Sequence, residues 1–264
     1  MSRRSSLIFL CVLGLVATSC AGRGRQQGGQ DDIDERFARG VSLFEKERWA
    51  RAAEDFNWVV LNNPAGNLAA EAQYYYAECL YQQQLYVEAQ IEFERLLRRW
   101  ASTEYLVDAR YRIVQSLVAQ SPSYYFDQRS TEDAINELQD FIEDFPATPQ
   151  RAEAEQLIAE LRDKMAQKIY ESGRLYLKWR RTDPARLYFD TVLAKYYDTL
   201  YADEARLGTL VAYIIDEDLA GARTYLDENG ARFQAQELRR EAERLLEIAQ
   251  TGKFDLAYYI RLYQ

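Results

Sequence analysis

Hydrophobic residues recur every three or four positions from Ile33 onward, with polar residues between them and turn-forming residues at short intervals. This spacing is typical of amphipathic helices that bury one side. Three stretches also align with one another at a period of 37 residues. The aligned trios are Phe37/Tyr74/Tyr111, Gly40/Ala77/Val114 and Leu43/Leu80/Leu117. The pattern therefore predicts an all-α chain built from repeated helical units.

Each unit contains a second predicted helix, marked by an alanine and, four residues later, a large apolar residue. These pairs are Ala52/Phe56, Ala89/Phe93 and Ala134/Leu138. A small residue where helices cross, opposite a large one that fills the neighbouring groove, resembles the tetratricopeptide helix pair. A fourth unit is indicated by Gly173, Tyr176, Ala185 and Phe189, and a fifth by Leu210, Tyr213, Ala222 and Leu226. We therefore predict a tetratricopeptide-like helix-turn-helix solenoid of about five repeats; an irregular helical bundle is the alternative.

The N-terminus has the pattern of a secretory signal. Arg3 and Arg4 precede an apolar run, residues 7–16, which is too short to span a bilayer, and small residues then lead to Cys20. This order resembles the bacterial lipobox, in which the peptide is cut just before a cysteine that becomes acylated, although Ala17 stands where that motif usually has Leu. An ordinary signal peptide with an incidental cysteine is the alternative.

These signals divide the chain into five segments. We expect a lipoprotein signal peptide over residues 1–19, and the lipidated cysteine with a flexible Gly- and Gln-rich tether over residues 20–32. N-terminal repeats 1–3 follow over residues 33–150 and C-terminal repeats 4–5 over residues 151–250. The aromatic C-terminal segment, residues 251–264, carries no clear pattern.

Composition narrows the classes of function. The 264 residues include no histidine, which removes the commonest general base and metal ligand. A net charge of −9, which becomes −11 once residues 1–19 are removed, argues against nucleic acid as a partner. The acidic run 216–218 resembles the start of a calcium loop but lacks its glycine and terminal glutamate, so helix capping is favoured. We therefore expect a non-enzymatic protein without a metal, and without a cofactor beyond the covalent lipid on Cys20.

A lipoprotein signal followed by about five such units resembles the BamD (ComL) family of outer-membrane-protein assembly lipoproteins. The loop with Asp127, Gln128 and Thr131 is also similar, as is the stretch 188–199, where Tyr197 replaces the family's usual proline. The resemblance implies a lipid-anchored protein of the outer membrane that faces the periplasm. It also implies a BamA-like β-barrel insertase docked on repeats 4 and 5, and unfolded outer-membrane protein peptides at the N-terminal repeats. A lipoprotein adaptor that recruits or regulates cell-wall enzymes is the alternative.

The first helices of stacked helix pairs line the concave face of the array. An aromatic row with interspersed polar groups can accept an extended peptide, because tyrosine offers a large contact area and a hydroxyl for backbone groups. The alternative is that the rings pack between helices, which is favoured for Phe37. The register assigns to this predicted peptide-binding groove Phe37, Val41, Phe44, Tyr74, Glu78, Tyr81, Tyr111 and Gln115.

Overall fold

A computed structural model describes residues 29–257 and residue 259. This part of the chain is helical and contains no strand. Each helix packs on the one that follows it, so that α1/α2 to α9/α10 form five helix pairs and α11 ends the array. The predicted all-α solenoid is confirmed. The helices are α1 (Gln30–Glu45), α2 (Trp49–Asn62), α3 (Ala69–Gln82), α4 (Tyr86–Arg99), α5 (Leu106–Gln120), α6 (Arg129–Asp144), α7 (Arg151–Lys178), α8 (Thr182–Lys195), α9 (Tyr201–Ile215), α10 (Leu219–Asn229) and α11 (Gln236–Gln250).

Close helix crossings depend on the predicted contact between small and large residues. A Cβ added to Gly40 would lie 2.9 Å from the ring of Phe56, which is inside van der Waals contact. In the fourth unit the ring of Phe189 is held from two sides: a Cβ would meet it at 2.7 Å from Gly173 and at 2.6 Å from Gly208. Only glycine lets the backbones of α7 and α9 approach this buried ring so closely.

The turn between the two helices of a unit has the same form in units 1, 2, 4 and 5. In unit 1 the N–H of Glu47 donates to the Phe44 carbonyl and the N–H of Arg48 to the Leu43 carbonyl, both at 2.9 Å. These two bonds make a Schellman motif, which satisfies carbonyls left free at a helix end. The residue after the C-cap is left-handed in all four turns, with φ between 55° and 62°, and it is Glu47, Gln84, Arg180 or Glu217.

The third unit replaces this turn with a loop, residues 121–128, that is fixed by side chains. Buried Gln128 donates from Nε2 to the carbonyls of Ser123 (2.8 Å) and Phe126 (3.1 Å). From α7, Lys164 Nζ donates to Ser121 Oγ at 2.9 Å and Lys168 Nζ to the Phe126 carbonyl at 2.6 Å. The loop is therefore anchored both to its own unit and to α7.

Helix α7 joins the two halves of the array. Its 28 residues, about 42 Å at 1.5 Å per residue, make it about twice as long as most other helices. Ala154 and Leu161 pack into the core of the third unit, whereas Ala166 and Leu177 pack with α8 and α9. The boundary predicted between residues 150 and 151 therefore marks the start of a helix but not a break in packing, since one continuous helix buries residues in both cores.

Two details of the ends differ from or extend the sequence-based expectation. Helix α1 begins at Gln30, so the last three residues assigned to the tether are helical; buried Ile33 ties this first turn to the core. At the other end, Leu256 and Tyr259 are buried in the core of units 4 and 5. The part of the C-terminal segment that the structure describes is thus folded against the array. Residues 1–28, 258 and 260–264 lie outside the described part.

The helix-capping prediction for the acidic run 216–218 is confirmed. Asp218, from the acidic run, caps α10 by accepting a hydrogen bond from the N–H of Gly221 at 2.8 Å. Cys79 is buried and free. Burial, aided by the nearby Glu78 charge, raises the pKa of the Cys79 thiol to about 12.

Candidate peptide-binding groove

Neighbouring units touch directly through their first helices, as α3 does with α5 and α7 with α9. These helices therefore form the inner layer of the array, where curvature brings successive units closest. The eight residues predicted for the groove all lie on α1, α3 and α5. Their individual surroundings decide what each can offer to a ligand.

The residues from the first unit are half-buried and pack between helices. The ring of Phe37 lies 5.6 Å from Phe56, and Phe44 lies 4.9 Å from Trp49, in edge-on contacts. Val41 packs against the same core. Aromatic pairs at these distances stabilise the fold directly. The packing interpretation favoured for Phe37 therefore extends to Phe44.

Tyr75 connects the first unit to the second, and the sequence-based groove did not include it. Its ring is stacked on Phe56 at 5.2 Å and lies edge-on to Phe37 at 6.4 Å and to Phe44 at 5.2 Å. It also touches Tyr74 at 5.7 Å. Residues 74–76 are three consecutive tyrosines, which indicates that more than one ring faces the helix crossing. The 37-residue period by itself points only to Tyr74.

Tyr74 and Tyr81 lie one above the other on α3 but differ in their surroundings. Tyr74 is stacked on Tyr105 at 4.5 Å, and burial together with the nearby Glu78 charge raises its pKa to about 12. Tyr81 is half-buried, with the guanidinium of Arg112 4.6 Å from its ring centre. Arg112 therefore covers one face of the Tyr81 ring.

A polar network crosses from α3 through α5 to α7 along this inner layer. Glu78 is 4% exposed, and its Oε1 accepts hydrogen bonds from Arg112 Nη2 (2.7 Å) and Gln82 Nε2 (2.8 Å). Arg112 Nη1 donates to Gln115 Oε1 at 2.9 Å, and Gln115 Nε2 donates to Glu153 Oε1 at 3.2 Å. The network joins three successive units.

One acceptor of this network is unused. Glu78 Oε2 is buried and has no hydrogen-bond partner within the described part of the chain. A buried carboxylate oxygen without a donor is costly, and native proteins rarely keep one unless it has a role. The sequence-based groove did not include Arg112. A carboxylate that faces the inner layer, as Glu78 was predicted to do, needs a cation nearby, and Arg112 is adjacent to the predicted groove residue Tyr111.

Tyr111 departs most from the predicted groove. It is 6% exposed, and its ring packs 5.2 Å from Phe141 inside the third unit. Burial, with the neighbouring Glu153, raises the pKa of its hydroxyl well above the usual range. The structure thus brings Tyr74, Glu78, Tyr81 and Gln115 together, while Tyr111 and the rings of the first unit serve mainly the core. The lipidation site predicted at Cys20 lies outside the described residues.

Within residues 29–257 and 259 no group of three or more Cys, Asp or Glu side chains is arranged to hold a metal ion. The same residues include no helix long and apolar enough to cross a bilayer.

Comparison with known proteins identifies the family. The model of the YfiO family, described as an outer membrane lipoprotein, matches residues 30–228. The chain belongs to this family. It is also similar to the outer membrane protein assembly factor BamD of Rickettsia prowazekii, with 24% identity over 216 residues, covering 79% of this chain and 83% of the relative. A protein of the same name from Caulobacter vibrioides is 23% identical over 256 residues, covering 87% and 84%. The resemblance to BamD proteins predicted from the sequence is confirmed.

Proposed function

We propose that this chain is a non-enzymatic, lipid-anchored scaffold for outer-membrane protein assembly. Membership of an outer membrane lipoprotein family and two relatives named as assembly factors support this role. In the proposal, acylated Cys20 holds the protein at the outer membrane, and the solenoid faces the periplasm. A BamA-like β-barrel insertase is its partner, and the inner layer of units 2 and 3 receives C-terminal peptides of unfolded barrel precursors.

The observation that carries the peptide-binding part is the free acceptor on Glu78. An extended peptide has backbone N–H groups that need acceptors, and the buried Glu78 Oε2, which lacks a donor, can accept one when the peptide displaces the side chains that cover it near Tyr81 and Arg112. Arg112 lies in the same place with a planar guanidinium, which suits a terminal carboxylate. Tyr74 and Tyr81 supply ring surface for an aromatic end residue.

The test of peptide binding uses a fluorescein-labelled peptide that ends in Phe and fluorescence anisotropy. Glu78→Gln keeps the shape of the side chain but removes the charged acceptor, so we expect affinity to fall about 10- to 100-fold, as loss of one charged hydrogen bond implies. Glu94→Gln is the matched control, because Glu94 pairs with Arg98 on α4, away from the inner layer. Equal affinity of the Glu78→Gln variant and the parent, with unchanged melting temperatures, would refute this use of the groove.

The partner is tested separately by pull-down of the native protein from detergent-solubilised envelopes. Recovery of a β-barrel insertase is the expected result. Recovery of peptidoglycan hydrolases without the insertase would instead identify an adaptor for cell-wall enzymes and overturn the proposal.

A further inference from the structure

The residues after α11 form a short strap, defined as residues 253–259, that packs against units 4 and 5. The chain enters the strap through Gly252, whose φ of 72° is left-handed. The strap then makes one helical turn, in which the N–H of Tyr259 donates to the carbonyl of Asp255 at 3.2 Å. Leu256 and Tyr259, three positions apart on this turn, are buried in the core of units 4 and 5. Side chains therefore hold the strap to the array, while the backbone of the turn bonds within the strap.

Two polar groups covered by this end of the chain have no hydrogen-bond partner. Tyr170 and Arg174 on α7 are 1% and 6% exposed, and Tyr259 lies beside Tyr170. The Tyr170 hydroxyl and Arg174 Nε are donors without an acceptor in the described part of the chain. Buried donors left unpaired lower the stability of the state that contains them. A helical turn directs its carbonyls along its own axis, so the strap covers these donors without pairing them.

The unpaired donors lie at inner-layer positions of the repeat. Tyr170 and Arg174 occupy in unit 4 the positions that Tyr74 and Glu78 occupy in unit 2. From α9, Glu204 brings a half-buried carboxyl group near both, and burial raises the pKa of that group. Two donors and an acceptor suit an extended peptide backbone, because such a backbone presents carbonyls and N–H groups in alternation.

A cleft of about 450 Å³ lies where the strap begins, against the end of α9 and the start of α10. This volume is in the range of ligand-binding sites. Arg180 and Glu217 line the cleft with opposite charges, so it favours no net charge in a ligand. Leu256 lines the cleft and belongs to the same turn as Tyr259, so the strap joins the cleft to the unpaired donors. The larger apolar residues of the lining are Ile214, Ile215, Leu219, Phe254 and Leu256.

We propose that the strap is a displaceable cover over a second peptide site in units 4 and 5, which takes an uncharged, apolar segment of a partner protein in extended form. Backbone carbonyls of the segment accept from Tyr170 and Arg174, and its N–H groups donate to Glu204. Its apolar side chains take the places of Leu256 and Tyr259. This site is separate from the inner layer of units 2 and 3, so it does not depend on peptide binding there.

The test uses the full chain in mild detergent and a labelled nine-residue peptide that alternates Thr with Val or Phe and has both ends blocked. All variants carry Glu78→Gln, which removes the acceptor proposed for units 2 and 3, and fluorescence anisotropy measures binding. We expect Tyr259→Ala and Gly252→Ala each to bind the peptide about fivefold or more tightly than the parent, because each weakens the closed strap. The first removes the buried ring, and the second places alanine at a left-handed φ where its Cβ meets no atom within 4 Å.

The donors are tested in the Tyr259→Ala background. Tyr170→Phe should weaken peptide binding there about threefold or more, because it removes one donor. In the chain with Tyr259 intact, Tyr170→Phe should not lower the melting temperature, since its hydroxyl is unpaired while the strap is closed. Tyr225→Phe is the matched control: it removes another buried hydroxyl without a partner, from a ring that packs on the same core, and should leave the affinity unchanged.

Trypsin reports displacement of the strap, because Lys253 directly follows Gly252. The peptide should speed cleavage after Lys253 about fivefold or more and leave cleavage after exposed Arg232 unchanged, as mass spectrometry measures. The proposal is overturned if the peptide binds the Tyr259→Ala chain no more tightly than the parent, or if Tyr225→Phe loses as much affinity as Tyr170→Phe. Cleavage after Lys253 that does not respond to the peptide, or that rises only together with cleavage after Arg232, would also overturn it.

Discussion

Gly173 and Gly208 hold the ring of Phe189 from two sides, and their replacement by alanine tests how the fourth unit is packed. A Cβ at residue 173 would lie 2.7 Å from Phe189 Cε1, whereas carbon atoms pack best at about 3.5–4.0 Å, so the ring must move by roughly 1 Å. Gly208 blocks that movement, because its own Cβ position is 2.6 Å from Phe189 Cζ. Overpacking of this kind costs about 1–3 kcal/mol.

The helix propensity of alanine offsets part of that cost. It is about 1 kcal/mol better than glycine inside a helix, so we expect Gly173→Ala to lower the free energy of unfolding by about 1 kcal/mol. Combining it with Gly208→Ala removes the space on both sides, and the loss should exceed the sum of the two single losses. Urea unfolding followed by far-ultraviolet circular dichroism measures these differences.

The role of the ring is tested by making Gly173→Ala in a Phe189→Leu variant. Leucine is tolerated at this position in the third unit, where Leu138 corresponds to Phe189 and packs in the same core as Val114. With the smaller side chain the clash disappears and the propensity gain remains, so Gly173→Ala should change from destabilising to stabilising. If Gly173→Ala changes the free energy of unfolding in the same direction with and without Phe189→Leu, contact with the ring does not explain why residue 173 is glycine.

Three further predictions concern other elements. Gln84→Gly, at a left-handed turn position with φ 62°, should raise the free energy of unfolding by about 0.5–1 kcal/mol, and no change in the urea midpoint would contradict the strain. Burial alone would raise the pKa of Asp55, but hydrogen bonds from Arg39 and Arg36 and their charges hold it below the usual value. The stability from this contact is therefore present above about pH 4 and is lost as the pH falls through the folded pKa, so Asp55→Asn should destabilise the protein at pH 7 and converge with the parent in acid unfolding curves. Cys79, with a pKa of about 12, should resist iodoacetamide at pH 8 until urea unfolds the chain; rapid labelling of the folded protein, followed by mass spectrometry, would show that the site opens.

The sequence predicted the helix pairs well because their signals are local. Apolar spacing and the contact of a small residue with a large one, such as Gly40 with Phe56, depend on residues of one unit. The 37-residue period recurs in the structure as the spacing of the left-handed residues Glu47 and Gln84, and of Arg180 and Glu217. The left-handed turn residues therefore fall at the spacing that the sequence repeat predicts.

The inner layer was harder to predict because it depends on how successive units are rotated. Tyr74 and Tyr111 occupy the same repeat position, yet Tyr74 stacks on Tyr105 near the surface while Tyr111 lies inside the third unit. Both rings pack on the phenylalanine of the second helix of their own unit, at 5.8 Å for Tyr74 on Phe93 and 5.2 Å for Tyr111 on Phe141, so the difference lies in the neighbours that each ring meets beyond its unit. Contacts between units, such as Arg112 with Glu78, follow from this rotation and not from any periodicity along the chain.

Helix α11 and the folded C-terminal segment have a consequence for self-association. A solenoid whose last unit exposed an apolar side would stack end to end with other copies and form fibres. Here α11 turns Ala242, Leu245, Leu246 and Ala249 inward, and its outward positions are mainly Glu and Arg. Leu256 and Tyr259 seal the same core further along the chain. Molecules crowded together on a membrane surface can therefore lie side by side without polymerising through this end.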